Sequence, residues 1–211
     1  MIPKELHDPR RELTSRGESK RDHILVCAAE ELVHAGYSGT TLGAIAMRAQ
    51  TKAGSMYHYF ESREDLISAV LVRGASETLD HARQAINELP AAATSRDRLR
   101  AVIHAHVRYV LSDNPVARAS MRILSQVPPE VQARVVELHR EYGVLLATLI
   151  ETAQRDGFLA ADVDPRVLRL LIAGAANWTT AWFDSGGPAN PSQIADLLVR
   201  VVFDGAGSGY P

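Results

Sequence analysis

Residues 40–60 read TTLGAIAMRAQTKAGSMYHYF. The first part of this stretch predicts a helix about two turns long, which Thr41 can cap and whose apolar residues fall on one face. These apolar residues are Leu42, Ile45, Ala46 and Ala49. The pattern stops at Gln50, and a second helix of about nine residues is expected after it. Two short helices across a tight turn are typical of a helix-turn-helix unit.

The second helix has few apolar residues to bury. Only Met56 and Phe60 are strong apolar anchors, and the remaining side chains are small or polar. Small side chains let a helix backbone enter the major groove of DNA, while hydroxyl, imidazole and ammonium groups can meet bases and phosphates. The predicted DNA contacts are Lys52, Ala53, Gly54, Ser55, Tyr57 and His58, with Thr40 and Thr41 before the first helix.

Charge supports DNA binding only locally. The chain has a formal net charge of −2, so no global basic field draws nucleic acid to it. However, no Asp or Glu occurs between Glu31 and Glu61, whereas Arg48, Lys52 and two histidines lie in that interval. Acidic groups are therefore missing where phosphates would lie.

The same residues resemble the tetracycline-repressor (TetR) family of bacterial one-component regulators. The resemblance covers residues 19–72 and rests on Thr40-Thr41, Ile45-Ala46, and the runs GSMYHYF at 54–60 and SREDL at 62–66. It implies a homodimer that binds double-stranded operator DNA under the control of a small ligand. It also implies that Arg63, which follows the reading helix, contacts a phosphate.

Three turn residues depart from the family pattern. The family usually has Gly, a small aliphatic residue and Ser or Thr where this chain has Gln50, Thr51 and Lys52. Gln costs about 1 kcal/mol in a left-handed conformation, and Lys cannot cap a helix whereas Thr can. We therefore expect the cap of the second helix to move back to Thr51, which would change how Lys52 and Ala53 meet the bases.

Periodicity predicts an all-α chain with two domains. We expect a mobile arm at 1–18, a three-helix helix-turn-helix DNA-binding domain at 19–62, a helical ligand-binding and dimerisation domain at 63–205, and a loose tail at 206–211. A hydrophobic content of 46% is enough for a substantial core. The single cysteine, Cys27, excludes an internal disulfide and fits a cytoplasmic location.

Capping residues and prolines predict the helix boundaries. Ser19 and Gly36 are expected to begin and end the first long helix, and Ser62 to cap a helix that runs to about Glu88. Further helices are expected to start at Pro115, Pro129, Pro165 and Pro191. The helix from Pro129 is expected to continue without a break to residue 156.

The last two helices are predicted to form a dimer interface. Residues 170–183 carry no charge, and this run is shorter than the roughly 20 residues of a membrane span. A helix that is apolar on most sides is buried on most sides, so this helix and the next could give half of a symmetric four-helix interface. The alternative is that both helices close the core of one protomer. The predicted interface residues are Leu171, Ala175, Ile194, Leu197, Leu198 and Val201.

A ligand site is expected among the middle helices, where the resemblance implies one. Large side chains with few polar groups could line it, although each could instead fill an ordinary core. The predicted lining residues are His106, Tyr109, Met121, Leu124, Tyr142, Trp178 and Trp182. The effector is expected to be a small, largely apolar molecule with one polar or acidic end.

The end of the chain suggests a chemical class for this effector. Trp178, Trp182 and the sequence GGP at 186–188 are similar to regulators of lipid or sterol breakdown that respond to acyl-CoA thioesters. An acyl-type effector would bring CoA phosphates, and Arg108, Arg118 and Arg122 are the candidate partners for them.

No pattern favours an enzyme, a cofactor or a metal. The chain has no Gly-rich phosphate loop and no nucleophile elbow, and His104 and His106 are two residues apart, on different sides of a helix. The predicted function is therefore a ligand-responsive, DNA-binding repressor. An activator or a ligand-independent repressor of the same fold remains open, and so does a helical small-molecule-binding or enzymatic protein without DNA function.

Overall fold

The computed structural model describes residues 15–205, which form ten α-helices and contain no strand. The helices are α1 (Ser15–Gly39), α2 (Leu42–Arg48), α3 (Ala53–Met56), α4 (Arg63–Asn87), α5 (Ser95–Val110), α6 (Pro115–Ile123), α7 (Pro129–Ala133), α8 (Val136–Arg155), α9 (Pro165–Trp182) and α10 (Pro191–Gly205). The predicted all-α class is confirmed. Residues 1–14 of the predicted arm and the predicted tail at 206–211 lie outside the described residues.

The turn between α2 and α3 is closed by backbone hydrogen bonds. The side chain of Thr41 caps α2, as predicted, by accepting a hydrogen bond from the N–H of Ala44 at 3.1 Å. At the other end, the N–H of Thr51 donates to the carbonyl of Ala46 at 2.9 Å, which is the outer bond of a Schellman motif. Gln50 takes the left-handed φ of 48° that this motif requires.

The second helix of this unit differs from the prediction in its cap and its length. Lys52 occupies the N-cap position and makes no side-chain capping bond, so the cap does not move to Thr51, whose backbone closes α2 instead. α3 is four residues long. It ends early because the chain tightens into a turn, in which the N–H of Tyr59 donates to the carbonyl of Met56 at 2.9 Å.

The first helix begins earlier than predicted. Residues 15–18, assigned to the arm, belong to α1, and Ser19 lies inside the helix. Serine costs only about 0.5 kcal/mol in a helix interior relative to alanine, so it need not act as a cap. Gly36 kinks the helix with a φ of 68°, close to its predicted end, and helical residues continue to Gly39.

The remaining boundaries follow the capping residues with one exception. The starts at Pro115, Pro165 and Pro191 and the Ser62 cap are confirmed. The single helix predicted from Pro129 is instead divided into α7 and α8.

Two apolar clusters organise the described residues, and α4 passes through both. The first cluster joins α1, α2 and α3 to the N-terminal half of α4 and to α6. The second joins the C-terminal part of α4 to α5, α8, α9 and α10. Leu71 of α4 lies in the first cluster and Leu79 in the second. The first core therefore extends well past residue 62, where the boundary between domains was predicted.

α6 lies between the first cluster and a cavity. Ala119 and Ile123 are fully buried in the first cluster, whereas Met121 faces the cavity. α4 approaches α6 so closely that a Cβ atom on Gly74 would lie 2.0 Å from the Oγ atom of Ser120. α6 therefore lies in contact with both the cavity and the first cluster.

Candidate functional site

The surface of α3 exposes the small and polar residues that the sequence singled out. Lys52, Ala53, Gly54 and His58 are exposed, and 58% of the Tyr57 surface is accessible. A Cβ atom on Gly54 would meet no atom within 4 Å. The protein's own packing therefore leaves this face free for a partner.

Two buried anchors hold α3 against the first cluster. Met56 and Phe60 are almost fully buried, which agrees with their predicted role. The guanidinium carbon of Arg21, on α1, lies 4.7 Å from the centre of the Phe60 ring, a cation–π contact that covers this anchor. The exposed face of α3 is thus set by its position on α1 and α2.

Arg63, which the resemblance places at a phosphate, makes several bonds within the protein. Its Nε donates to the carbonyl of Thr40 at 2.8 Å, one terminal nitrogen donates to the carbonyl of Tyr37, and the other pairs with Glu64 at 2.9 Å. The guanidinium also stacks over the Tyr37 ring at 4.5 Å. These bonds tie α4 to the end of α1, and the phosphate contact of Arg63 stays a prediction.

Thr40 also has an internal role. Its side chain is 1% exposed and its hydroxyl donates to the carbonyl of Gly36 at 2.7 Å, so it cannot contact DNA directly. Thr41 is exposed beside it. Met47 of α2, which was not among the predicted contacts, is 78% exposed.

The basic residues near this surface divide into paired and unpaired groups. Arg48 forms ion pairs with Glu30 at 3.3 Å and Glu31 at 3.1 Å, two acids of α1. Lys20 donates to the carbonyl of Ala49, at the end of α2, at 3.3 Å. Lys52 has no ion-pair partner among residues 15–205, so its ammonium group is available to phosphate.

A cavity of about 250 Å³ lies among five helices, α4, α5, α6, α8 and α9. It brings together four of the predicted lining residues, namely His106, Met121, Leu124 and Tyr142. Its wall is mainly apolar, and it contains no aspartate or glutamate. Five polar residues of the wall were not predicted, namely Thr78, Ser120, His139, Arg169 and Asn177. Arg169 and Asn177 could have been found, because residues 169, 173 and 177 fall on one helical face.

Hydrogen bonds fix His106 at the cavity wall. Its Nδ1 lies 2.7 Å from the hydroxyl of Tyr142, and its Nε2 lies 2.9 Å from Oδ1 of Asn177. Oδ1 can only accept, so Nε2 carries the proton and the Tyr142 hydroxyl donates to Nδ1. Burial lowers the pKa of His106 and raises the pKa of Tyr142. The group therefore holds α5, α8 and α9 together without a net charge.

The other predicted lining residues lie elsewhere. Tyr109 is buried and its hydroxyl donates to Glu77 at 2.8 Å, so it belongs to a separate polar network. Trp178 and Trp182 are 70% and 55% exposed and do not line the cavity. Trp178 instead lines a neighbouring cleft.

This cleft, of about 720 Å³, adjoins the cavity and shares Met121 and Asn177 with it. Arg118 and Arg122, one turn apart on α6, line the cleft, and neither side chain has a partner among residues 15–205. Val33 of α1 forms another part of its wall. The cleft thus adjoins the apolar cavity and α1, and its wall holds two unpaired guanidinium groups together with the carboxylate of Asp113.

A polar network around Glu77 links α1 to α4, α5 and the start of α6. Arg73 pairs with Glu77 at 2.7 Å and with Asp22 of α1. Burial alone would raise the pKa of Glu77, but hydrogen bonds from Arg73, Tyr109 and Asn114 lower it. Glu77 is therefore charged and holds α4, α5 and the start of α6 against α1.

Part of the predicted dimer surface is exposed and part is not. Leu171, Ala175, Leu197 and Val201 are exposed, with Leu171 at 64%. In contrast, Ile194 is buried against Val107 and Ala176, and Leu198 packs beside it. These two residues therefore contribute to the protomer's own core, whereas other large apolar side chains of α9 and α10, such as Leu171 and Leu197, are exposed.

Two family descriptions match this chain. Residues 24–70 match "Bacterial regulatory proteins, tetR family", and residues 92–206 match "Tetracyclin repressor-like, C-terminal domain". The chain belongs to the TetR family. It is a DNA-binding, ligand-responsive transcriptional repressor.

Relatives of this TetR-family chain include regulators with known ligands. The HTH-type transcriptional repressor KstR2 of Rhodococcus jostii (strain RHA1) is 26% identical over 198 residues, which cover 93% of this chain and 96% of KstR2. AibR in complex with isovaleryl coenzyme A and operator DNA has a TM-score of 0.78 at 23% identity, covering 87% of this chain and 98% of AibR. FadR from Bacillus subtilis in complex with stearoyl-CoA has a TM-score of 0.75 at 22% identity, with the same coverage of both chains.

None of the helices within residues 15–205 of this TetR-family chain is long and apolar enough to cross a membrane.

Proposed function

We propose that two copies of this chain bind one pseudo-palindromic operator and release it when an acyl-CoA thioester occupies the cavity and the adjoining cleft. The observation that carries the effector part is the junction of an apolar cavity with a cleft that holds two unpaired arginines. The apolar chain and the phosphates of an acyl-CoA need different surroundings. The cavity and the cleft supply one each.

The DNA-binding part rests on the exposed face of α3. Lys52, Ser55, Tyr57 and His58 would meet the DNA, with Ala53 and Gly54 allowing close approach. The exposed apolar faces of α9 and α10 would join two copies about a two-fold axis. The two α3 helices would then lie in successive major grooves about 34–36 Å apart. In this proposal residues 19–62 read the operator and residues 63–205 bind the effector and the second copy.

The volumes of the cavity and the cleft favour an acyl thioester as the effector rather than a compact molecule. The cavity, at about 250 Å³, is smaller than the usual range of about 300–1,000 Å³ for small-molecule sites. It suits an acyl chain without its CoA. The cleft of about 720 Å³ has room for the larger, charged part, and Arg118 and Arg122 lie where phosphates would need cations. The isovaleryl and stearoyl thioesters bound by AibR and FadR are consistent with this assignment.

The switch follows from the position of α6. An effector reaching from the cavity into the cleft would contact Met121 of α6 and Val33 of α1. α1 is also tied to the end of α6, because the N–H of Tyr37 donates to the side chain of Gln126 at 3.2 Å. A shift of α6 would therefore move α1 and change the separation of the two α3 helices. Operator affinity falls only by as much as the effector prefers the shifted form.

The proposal assigns no catalysis to the chain and requires no cofactor. It places the protein in the cytoplasm, with the operator and the acyl-CoA pool.

The experiment combines operator selection with effector titration. Selection from a randomised duplex library gives the operator, and a mobility-shift assay then measures release by acyl-CoA thioesters of increasing chain length. The double variant Arg118→Met with Arg122→Met should need at least tenfold more thioester for release, because each lost charge-assisted contact costs about 1.5 kcal/mol or more. Arg108→Met is the matched control, since Arg108 is exposed but lies outside the cleft.

Three results would contradict the proposal. Equal affinity for every duplex would remove the operator-reading role of α3. A monomer at operator-binding concentrations would remove the role of α9 and α10. Release that depends equally on Arg108 and on the Arg118 and Arg122 pair would place the CoA outside the cleft.

A further inference from the structure

Among residues 15–205, Arg169 is the only arginine that lines the cavity. Its guanidinium forms no hydrogen bond or ion pair with any described residue. No aspartate or glutamate lines the same cavity. The cavity wall therefore holds a permanent positive charge without its counter-charge.

A glycine makes room for this guanidinium between α8 and α9. A Cβ atom on Gly143 would lie 2.9 Å from a terminal nitrogen of Arg169 and 3.5 Å from the central guanidinium carbon. Gly143 is itself buried and lines the cavity. Any larger residue at 143 would displace the guanidinium, so the absence of a side chain there seats Arg169 against the cavity.

Arg169 lies away from the opening between the cavity and the cleft. The two spaces share Met121 and Asn177, whereas Arg169 lines only the cavity. Arg169 and Asn177 lie on the same face of α9, and eight residues of helix separate their Cα atoms by about 12 Å along the axis. A chain that enters beside Asn177 and follows α9 therefore approaches Arg169 with its far end.

We infer that the acyl part of the effector carries an acidic group, a carboxylate at or near its far end, and that Arg169 is the residue that selects it. This inference rests on the proposed acyl-CoA function and specifies which thioesters the site prefers. An alkyl end would exclude water from the guanidinium and give it no partner, which is unfavourable. A carboxylate offers two oxygens in the geometry that a guanidinium binds best.

The test uses pairs of thioesters that differ only at the far carbon. Decanoyl-CoA and the CoA monothioester of decanedioic acid form one pair, and pairs with six and fourteen carbons cover shorter and longer chains. Release of the operator and direct binding by calorimetry are measured for each. The wild-type protein should respond to the carboxylated member of at least one pair at a concentration at least tenfold lower than to its plain partner.

Substitutions assign this preference to one side chain. Arg169→Met removes the charge and keeps an unbranched apolar side chain, and it should bring the two members of each pair within about twofold of each other while leaving the response to the plain thioester largely intact. Arg169→Lys should keep part of the preference. Arg166→Met is the matched control, because Arg166 lies one turn earlier on α9, is exposed, and pairs only with Asp164.

The outcomes separate this inference from the proposed function. If plain and carboxylated thioesters act equally on the wild type, the inference is overturned and the acyl-CoA function stands. If no thioester binds, both fail together. A CoA phosphate is the other anion that could reach Arg169. If Arg169→Met weakens plain acyl-CoA but not the matching acyl-pantetheine, which lacks those phosphates, Arg169 serves the CoA and the inference is overturned.

Discussion

The DNA-reading surface and the effector cavity are built in opposite ways. Six of the predicted DNA contacts lie within residues 52–58, on α3 and the residues next to it, and a Cβ atom on Gly54 would meet nothing within 4 Å. The cavity takes its wall from five helices, and the hydrogen bonds of His106 join three of them, α5, α8 and α9. Substitutions at the reading surface should therefore change operator affinity with little effect on the free energy of unfolding. Substitutions around the cavity and the α4–α6 contact should change both.

The largest expected effect on stability lies where α4 meets α6. Gly74→Ala would place a Cβ atom 2.0 Å from Oγ and 2.8 Å from Cβ of Ser120. Rotation of the hydroxyl cannot relieve the second contact, so the helices must separate. Overpacking of this kind costs about 1–3 kcal/mol. Chemical denaturation should show this loss, and the response to effector should weaken with it.

A second substitution tests whether the clash is the cause. Ser120→Gly removes both atoms that Gly74→Ala would strike. The double variant should therefore lose less free energy of unfolding than the two single variants lose when their losses are added. A Gly74→Ala protein with wild-type stability would mean that α4 and α6 adjust freely, and the close coupling proposed for α6 would then fail.

A loss of stability without a steric clash is expected at the cavity wall. Tyr142→Phe removes the hydroxyl that donates to Nδ1 of His106 and leaves this buried acceptor without a partner. Such a change costs about 1–3 kcal/mol. Tyr59→Phe is the matched control, because Tyr59 is half-buried in the first cluster and its hydroxyl has no hydrogen bond within residues 15–205. Equal stability of the two variants would contradict the assigned role of Tyr142.

The same group gives a pH dependence with a defined sign. Burial lowers the pKa of His106 in the folded protein, and the Asn177 hydrogen bond opposes this only in part. The unfolded chain therefore takes up the proton first, so the stability contributed by neutral His106 is present above pH of about 6.5 and is lost as the pH falls towards the lowered folded value. Burial lowers the pKa of His104 in the same direction. The free energy of unfolding of His106→Gln should consequently fall less steeply with acid, without becoming independent of pH.

The reading surface could be predicted from the sequence better than the cavity could. The reading surface was predictable because Met56 and Phe60 anchor one face and small residues occupy the other, all within one local pattern. The hydrogen bonds of Arg63 were not predictable, because its acceptors are backbone carbonyls that only the fold brings close to it. The same applies to the cap at Lys52, where backbone bonds of the turn override side-chain preference.

In the cavity, predictions from residue size succeeded only for residues on suitable faces. His106 and Tyr142 meet across two helices, whereas Tyr109 turns to Glu77 and Trp178 points to the surface. Helical spacing on α9 indicated which residues share a face but not whether that face meets a cavity, a cleft or a second copy.

The smallest expected effect on stability, with a large effect on function, is at Gly54. A Cβ atom there meets nothing within 4 Å, and alanine is the better helix former, so Gly54→Ala should leave the free energy of unfolding unchanged or raise it by up to about 1 kcal/mol. The added methyl group would project from the face that has to approach DNA, and operator affinity should fall at least tenfold, about 1.4 kcal/mol. Mobility-shift titrations with the selected operator and with an unrelated duplex, beside denaturation curves, measure both quantities. Gly54→Ala with full operator affinity would mean that the groove does not approach α3 this closely, and the reading role would then rest on Lys52 and Tyr57 at its edges.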